Sequence, residues 1–336
     1  MPDFLTPQIL LSLSVIGVGA FFLLNSAALA VYAERRIAAF IQNRVGPNRV
    51  GPLGLLQPIA DVLKLILKED ITPTQGNKTI HAIAPMIPVA TALMTVAVIP
   101  FGDGLVGANL NAGVLYLLAI TSLGVYGVTL AGWASNSKYA LLGGLRSAAQ
   151  MLSYELPMGM AVASCILFAG SLSMVDVVNS QDMVWNIFRN PLGFIIFFVA
   201  ALAEANRTPF DLVEAEQELV GGFHTEYSSM KFGMFFLAEY MHVTIGSMLV
   251  TSFFLGGYHL PFAPLWLPEL SPLMKGILDV HVFLAKTLFI AFTYIWIRWT
   301  IPRFKYDQLM RLGWSRLLPL SIINFMVIAS VLYFFR

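Results

Sequence analysis

Carboxylates are concentrated in the segment from Glu204 to Lys231, which holds six acids against two bases, a net charge of −4. Thr208-Pro209-Phe210-Asp211 is typical of a helix start, and Gly221-Gly222 predicts the end of that helix. On it, Asp211, Glu214 and Glu218 would share one face at spacings of three and four. Crowded carboxylates bind protons more readily, which favours a proton-carrying role over a solvated acidic surface, the ordinary alternative.

Ionisable side chains also occur inside apolar stretches, among them Glu155, Glu239 and Lys286. A charge in the middle of a bilayer costs several kcal/mol, so each should face the interior of a helix bundle or a hydrated cavity. A structural ion pair, such as Glu155 or Glu239 with Lys286, is one interpretation. Because several such residues accompany the acidic segment, a hydrated proton path is the favoured one.

A third polar pattern follows Pro58, where Gln57, Asp61, Lys64 and Lys68 recur at spacings of four, three and four. Leucine, isoleucine and valine occupy the other positions, so the pattern predicts an amphipathic helix at a membrane surface. The preceding residues 46–58 contain three prolines and three glycines, which predict fixed turns. Lipid anchoring and contact with a ligand or partner remain equally open for this helix.

The composition limits the elements that can position these side chains. Of the 336 residues, 57% are hydrophobic and 12% charged, about half of the charged fraction usual in soluble domains. The net charge of +1 gives no indication of nucleic-acid binding. The single cysteine, Cys165, excludes a disulfide framework and a cysteine-ligated iron–sulfur or zinc site. The chain is therefore expected to be an integral membrane protein without a metal centre.

Apolar runs of about 20 residues predict an all-α polytopic membrane protein with about eight transmembrane helices. The runs lie near 8–33, 82–101, 112–133, 155–175, 187–204, 232–255, 276–301 and 317–335. The fifth is the shortest in its apolar part. No repeat or soluble domain interrupts the pattern, so residues 1–336 are expected to form a single helical membrane domain.

Basic residues predict the orientation of this domain. The segments 34–81, 134–154, 205–231 and 302–316 hold fifteen lysines and arginines, whereas the opposite side holds three. This bias predicts that the four richer segments are cytoplasmic loops. Both termini would then lie on the other side of the membrane.

Three motifs carry a specific family resemblance. They are Glu34-Arg35-Arg36 with QNRVGPNRVGPLG at 42–54 and the LLQPIADVLKLILKED run, then Arg207-Thr-Pro-Phe-Asp with its glutamates, and PRFKYDQLMRLGW at 302–314. Together they resemble the family of the H subunit, the quinone-chamber membrane subunit, of proton-translocating NADH:quinone oxidoreductase, respiratory complex I. The resemblance runs from the first span to the last.

The resemblance implies a subunit that forms the quinone chamber and its entrance and couples quinone reduction to proton translocation. Such a subunit has no redox centre of its own and binds no cofactor covalently. NADH, FMN and the Fe–S clusters belong to partner subunits, and quinone is the substrate. The expected partners are the hydrophilic quinone-module subunits with the terminal Fe–S cluster, small membrane subunits, antiporter-like subunits and lipid, with no nucleic acid. The expected location is the bacterial inner membrane rather than the mitochondrial one.

The resemblance also implies roles for single residues. The quinone chamber and entrance would include Glu34, Arg35, Arg36, Asp61 and Lys64. An acidic funnel would include Glu204, Arg207, Asp211, Glu214, Glu216 and Glu218, and an intramembrane proton path would continue through Glu155, Glu239 and Lys286.

Two other functions are compatible with a helical membrane chain. A homologous subunit of a membrane-bound hydrogenase-type complex would share the spans but usually keeps the glutamate-rich loop and the QNRVGPNRVG segment less completely. A free-standing ion transporter would be expected to show paired broken helices and inverted repeats, neither of which the sequence contains.

Overall fold

The computed structural model describes residues 7–211, 220–262 and 271–335, and most of them are helical. Thirteen α-helices occur in these ranges: α1 Pro7–Ile41, α2 Gln57–Leu67, α3 Lys78–Ile83, α4 Met86–Thr95, α5 Gly113–Ala134, α6 Lys138–Ala169, α7 Met174–Asn179, α8 Asn186–Arg189, α9 Pro191–Glu204, α10 Ser229–Phe254, α11 Pro272–Thr300, α12 Tyr306–Arg311 and α13 Leu318–Phe335. The all-α polytopic prediction is confirmed.

Seven helical segments are long and apolar enough to cross a membrane. They are Ile9–Ile41, Lys78–Val98, Gly113–Ala134, Lys138–Ala169, Ser229–Phe254, Pro272–Thr300 and Tyr306–Phe334. The fifth predicted span is the shorter helix α9, whose 14 residues extend about 21 Å. It is shorter than the hydrocarbon core, which is about 30 Å thick.

Helix α9 nevertheless connects the two ends of the bundle. At its beginning the side-chain amide Nδ2 of Asn190 donates to Ser164 Oγ on α6, and at its end Gln150 Nε2 of α6 donates to the Ala203 carbonyl. The two helices are therefore antiparallel neighbours over this length. Helix α6 extends beyond α9 at both ends, which allows a short helix to remain covered by longer ones.

The polar segments 42–77, 135–137, 205–211, 220–228 and 301–305 meet at one end of the bundle, which we call the loop face. Ser228 Oγ lies 2.9 Å from the Glu69 carbonyl, and the Asn77 amide donates to the Ala134 carbonyl. Arg303 Nη2 lies 2.9 Å from Asp211 Oδ2. The four basic segments of the sequence thus converge on one side of the molecule.

The segments 99–112, 170–190 and 255–262 meet at the other end, the opposite face. The Val114 amide donates to the Leu172 carbonyl, and Gln181 donates to the Ser252 carbonyl. Lys275 Nζ forms an exposed ion pair with Asp103 Oδ2 at 2.8 Å. These contacts join loops that are distant in the sequence.

Two predicted boundaries are wrong because apolar runs detect the membrane-buried part of a helix, not its ends. Residues 34–41, predicted as loop, continue helix α1, and residues 138–154 continue helix α6 toward the loop face. The extension of α1 is the more important one, since it carries Glu34, Arg35 and Arg36. Their directions are therefore fixed by helix geometry.

Glycines allow close helix packing at the loop face. A Cβ atom at Gly143 of α6 would lie 2.7 Å from the Phe223 amide nitrogen, and one at Gly132 of α5 would lie 2.5 Å from the Ala140 carbonyl oxygen. Small residues let backbones approach where lipid provides no hydrophobic driving force. The chain around Phe223 is thereby held against α6, beside the polar groups described below.

The amphipathic helix is confirmed as α2, which lies at the loop face against α1 and α10. None of its side chains is fully buried, and Ile59, Val62, Leu63 and Ile66 are exposed. The predicted acidic helix falls mainly on residues 212–219, which lie outside the described ranges, and it stays a prediction.

The orientation can be tested with introduced cysteines, because Cys165 is buried. Asn48 and Thr225 are exposed on the loop face, and Asn111 is exposed on the opposite face. If the loop face is cytoplasmic, an impermeant thiol reagent added to intact cells should label only Asn111→Cys. Asn48→Cys and Thr225→Cys should react in inverted vesicles, which also control for occlusion by partners. Labelling of either from outside the cell would contradict the orientation.

Candidate functional site

Helix α1 presents three consecutive charged residues in three directions, because successive residues are separated by about 100° around a helix. Glu34 points inward and is only 6% exposed. Arg35 reaches α2, where its Nη1 lies 2.6 Å from Asp61 Oδ2. Arg36 lines a different cleft on the flank of α1 that faces α11. The motif therefore serves three separate environments.

Two buried and two half-buried ionic side chains form what we call the ion network: Glu34 and Arg207 are buried, and Glu239 and Arg298 are half-buried. Arg298 Nη1 lies 2.7 Å from Glu34 Oε1, and Arg207 Nη1 lies 3.8 Å from Glu34 Oε2. Arg207 Nε lies 2.8 Å from Glu239 Oε1. Two carboxylates are thus balanced by two guanidinium groups, as a low-dielectric environment requires.

Tyr240 lies beside this ion network. Its ring is stacked against the Arg207 guanidinium, with 4.0 Å from Cζ to the ring centroid. Its hydroxyl also lies within hydrogen-bonding reach of Glu34. An arginine over an aromatic face gains a cation–π attraction that increases when water is excluded. Tyr240 therefore holds Arg207 from the side that the two carboxylates leave open.

A cleft between α1, α2 and α10, the surface cleft, opens next to the ion network. It is lined by Val31, Arg35, Asp61, Lys64, Phe236 and Tyr240, together with further apolar side chains. Gln57 donates to Asp61 Oδ1 at 3.2 Å, which aligns the carboxylate with Arg35. Arg35, Asp61 and Lys64 thus line one cleft, whereas Glu34 and Arg36 do not line it. Tyr240 also lines the small cavity that contains Glu34 and Arg298, so it borders both spaces.

An internal cavity lies on the other side of Glu239. Its lining includes Glu204, Glu239, His224 and His242, with phenylalanines from α10 and the 220–228 segment. The predicted acids Glu204 and Glu239 therefore face one space, although they lie on different helices. Glu239 is common to the ion network and the internal cavity.

Glu155 continues this arrangement. It accepts a hydrogen bond from Ser122 Oγ of α5 and interacts electrostatically with Glu204. Shared or neighbouring residues therefore connect the surface cleft to the ion network, the ion network to the internal cavity, and the internal cavity to Glu155. Ionisable groups line each of these steps.

Asp211 is buried and pairs with Arg303, at the edge of the loop face. Arg207 and Asp211, both from the predicted acidic funnel, are thus held by ion pairs. The remaining predicted members, Glu214, Glu216 and Glu218, lie outside the described residues. Their role stays a prediction.

Lys286 is not brought together with Glu155 or Glu239, so the ion pair considered from the sequence is wrong. It lies toward the opposite face, where its Nζ donates to the carbonyls of Leu255, Gly257 and His259 at 2.5–2.9 Å. Its Nζ also lies 4.2 Å from the Trp185 ring centroid. Backbone carbonyls just beyond the end of α10 therefore surround the Lys286 ammonium, where the sequence had suggested a carboxylate.

His259 lies in the same region, outside the membrane-spanning segments. Its Nδ1 lies 3.5 Å from Asp182 Oδ1, and its Nε2 lies 3.1 Å from Asn179 Oδ1. Burial lowers the pKa of His259, and the Asp182 carboxylate opposes that effect. The neutral imidazole is therefore favoured near neutral pH, and the contact with Asp182 is not a permanent ion pair.

Sequence reasoning missed Arg298, Arg303 and Tyr240. Arg298 lies in an apolar stretch, and a cation in that position was itself a signal that it must pair with an acid. Arg303 lies within the third family motif, but nothing in the sequence indicates that Asp211 is its partner. Tyr240 follows Glu239 directly, and only the packing of α10 against α1 reveals its role.

Within the described ranges, no group of three or more histidine, cysteine, aspartate or glutamate side chains could hold a metal ion. The ionisable groups of the site are instead engaged with one another or line cavities. Such an arrangement can bind a polar headgroup at the surface cleft and can redistribute protons among carboxylates. Together, the fold and the site define a helical multi-pass membrane protein with a charged path from one face into its interior.

Comparison with known proteins agrees with that class. Residues 13–329 match the family described as NADH dehydrogenase. The chain is 56% identical over 326 residues to the H subunit of NADH-quinone oxidoreductase from Salinibacter ruber, covering 93% of this chain and 94% of that protein. It is 57% identical over 323 residues to NADH-quinone oxidoreductase subunit 8 of Rhodothermus marinus, covering 92% and 95%.

A third relative, the H 1 subunit of NADH-quinone oxidoreductase from Geobacter metallireducens, is 49% identical over 334 residues, covering 97% of each chain. The chain therefore belongs to the family of the H subunit of NADH-quinone oxidoreductase. The resemblance based on the three sequence motifs is confirmed.

The ion network should be important for stability. Arg207→Gln would remove the cation that contacts both Glu34 and Glu239, and breaking a buried ion pair costs about 3–5 kcal/mol. We expect much less folded protein in the membrane and earlier thermal aggregation in detergent. Lys275→Gln is the matched control, because its pair with Asp103 is 51% and 61% exposed and such pairs contribute about 0–1 kcal/mol. Equal stability of the two variants would contradict the role of the ion network.

Proposed function

We propose that this chain is the quinone-chamber subunit of a proton-translocating NADH:quinone oxidoreductase, in which the surface cleft admits quinone and the buried acids couple its reduction to proton movement. The observation that carries the proposal is the unbroken order of ionisable groups from the surface cleft through the ion network to the internal cavity. The names of the relatives support the reaction class.

The surface cleft has the chemistry that a quinone requires. A quinone has a polar headgroup and a long apolar tail, so its entrance must combine apolar walls with a few polar groups at the membrane surface. Apolar side chains of α1, α2 and α10 provide the walls, and Arg35, Asp61 and Lys64 provide the polar groups. Helix α2 keeps its apolar face exposed, as expected for a helix in contact with lipid.

Proton coupling follows from the shared partner of two acids. Glu34 and Glu239 both lie within 4 Å of Arg207, so protonation of one changes the field that the other experiences. Glu204 and Glu155 extend this electrostatic contact beyond the internal cavity. In the proposed mechanism, the charge change that accompanies quinone reduction near Glu34 is transmitted inward through these carboxylates.

The acidic funnel is proposed to contain Glu204, Arg207 and Asp211, with Glu214, Glu216 and Glu218 as further members. Lys286 is separated from this path in the described structure, and its part in proton movement stays a prediction. Arg36, which the family resemblance assigns to the quinone chamber, lines a different cleft on the flank of α1 that faces α11.

The rest of the reaction is assigned to partners. NADH oxidation, FMN and the Fe–S clusters would belong to hydrophilic subunits docked on the loop face, and the terminal cluster would reduce quinone in the chamber. Small membrane subunits and antiporter-like subunits would continue the membrane arm. The multi-pass fold and the bacterial relatives support a bacterial inner membrane, with the loop face toward the cytoplasm.

The quinone entrance can be tested with Asp61→Asn and Lys64→Gln. Hydrogen bonds to charged groups contribute about 1.5–3 kcal/mol, so we expect the KM for a short-chain quinone to rise about tenfold. NADH:ferricyanide reduction should be unchanged, because that reaction bypasses the chamber. Lys68→Gln, at the end of the same helix and outside the surface cleft, is the control. Loss of both activities would indicate an assembly role instead, and an unchanged KM would contradict quinone binding here.

The carboxylate path can be tested with Glu204→Gln and Glu239→Gln, which keep shape and hydrogen bonding but remove the titrating group. In a tightly coupled enzyme, quinone reduction and proton pumping should fall together, by at least about tenfold per assembled particle.

Asp103→Asn, exposed on the opposite face, should keep normal turnover. Glu239→Gln also removes a partner of Arg207, so activity must be divided by the amount of assembled complex. Normal turnover per particle in both glutamine variants would exclude a relay through these residues.

A further inference from the structure

A second cleft lies on the other flank of α1, between its end and α11. It has a volume of about 640 Å³, and its lining includes Arg36, Phe40, Arg44, Phe292 and Trp296. We call it the arginine cleft. None of the residues Arg35, Asp61 and Lys64 lines it, so it is separate from the surface cleft.

The end of helix α1 places the two arginines together. Asn43 adopts a left-handed conformation with φ of 52°. The Arg44 amide donates to the Ala39 carbonyl and the Asn43 amide to the Phe40 carbonyl, which is the hydrogen-bond pattern of a Schellman helix end. The chain therefore turns back toward α1 immediately after Asn43. A Cβ atom at Gly46 would lie 3.1 Å from Arg36 Cδ, so the turn packs directly on Arg36.

The arginine cleft has an uncompensated positive charge. Among the described residues, neither Arg36 nor Arg44 forms an ion pair, and Arg44 Nε donates only to the neutral Gln42 side chain. Arg35, one residue away, is paired with Asp61. The cleft therefore presents two cations whose counter-charge must come from another molecule.

The wall below these cations is apolar and exposed. Phe292 and Trp296 lie one turn apart on α11 and are 44% and 54% exposed, and Leu288 continues the same stripe away from the loop face. Tryptophan is enriched where membrane interiors meet water. A ligand with an anionic head and an apolar tail matches this arrangement along its whole length.

We propose that the arginine cleft binds an anionic phospholipid from the leaflet at the loop face. Its phosphate would lie between Arg36 and Arg44, and one acyl chain would follow Trp296, Phe292 and Leu288. A lipid is favoured over a protein segment because the stripe faces outward from an exposed part of a membrane-spanning helix, where lipid is the surrounding solvent. The inference rests on the membrane placement of the proposed function, but not on quinone chemistry.

The test uses the purified complex in phosphatidylcholine nanodiscs that contain a small fraction of a photoactivatable lipid with a diazirine on its acyl chain. One sample receives the phosphatidylglycerol analogue and a second the phosphatidylcholine analogue. Adducts on the 288–296 segment are quantified by peptide mass spectrometry. An arginine near a membrane surface attracts anionic lipid by about fivefold, so the phosphatidylglycerol adduct should exceed the phosphatidylcholine adduct at least about fivefold.

Arg36→Gln/Arg44→Gln should abolish that preference, whereas Arg36→Lys/Arg44→Lys should keep most of it. Arg49→Gln, an exposed arginine on the same loop and outside the cleft, is the matched control and should keep the full preference. The comparison of the two lipids on the unsubstituted protein remains decisive if the double variant fails to assemble.

Equal labelling by both lipids, or an unchanged preference in the glutamine double variant, would overturn the proposal. Cross-links from the arginine cleft to a neighbouring subunit, without a lipid adduct, would also overturn it. No turnover is needed for the measurement. A particle that lacks flavin and Fe–S subunits but still shows the selective adduct would therefore contradict the proposed function alone.

Discussion

The cost of burying charge away from water is the constraint on which the arrangement of this protein depends. Glu34, Arg207, Glu239 and Arg298 come from helices α1, α10 and α11 and from the segment after α9, and they are mutually paired. Removing one member would break an ion pair in a low-dielectric interior, which is costly. The four segments are therefore tied to a common geometry, and the two neighbouring cavities are positioned by it.

Helix geometry explains how the short motif Glu34-Arg35-Arg36 can place one side chain in the ion network and the other two near the membrane surface. Glu34 contributes to the ion network, Arg35 holds the amphipathic helix α2, and Arg36 faces the arginine cleft. A loop would not have separated three consecutive side chains so reliably. The continuation of α1 to Ile41, which hydropathy did not predict, is therefore a functional part of the helix.

The sequence predicted the elements better than their partners, for a physical reason. Apolar runs report which residues lipid or core must cover, so the seven long helices were predicted, and the short helix α9 was also predicted, as an eighth span. Which side chains form ion pairs depends on the orientation of each helix about its own axis and on the angles at which the helices cross. Lys286 and Arg298 are both intramembrane cations, and the local sequence does not distinguish them. Only the structure shows that backbone carbonyls surround Lys286, whereas Arg298 meets Glu34.

The balance of charge in the ion network also makes it sensitive to events on either side. Two arginines keep their charge at any physiological pH, so neutralising Glu34 or Glu239 would leave a net positive charge in the interior. That excess can be relieved by an anionic species arriving in the surface cleft or by a proton leaving toward the internal cavity. Because Arg207 contacts both acids, a change of charge in the surface cleft alters the electrostatic field in the internal cavity, and the reverse also holds. Electrostatic balance can therefore link the two spaces through Arg207.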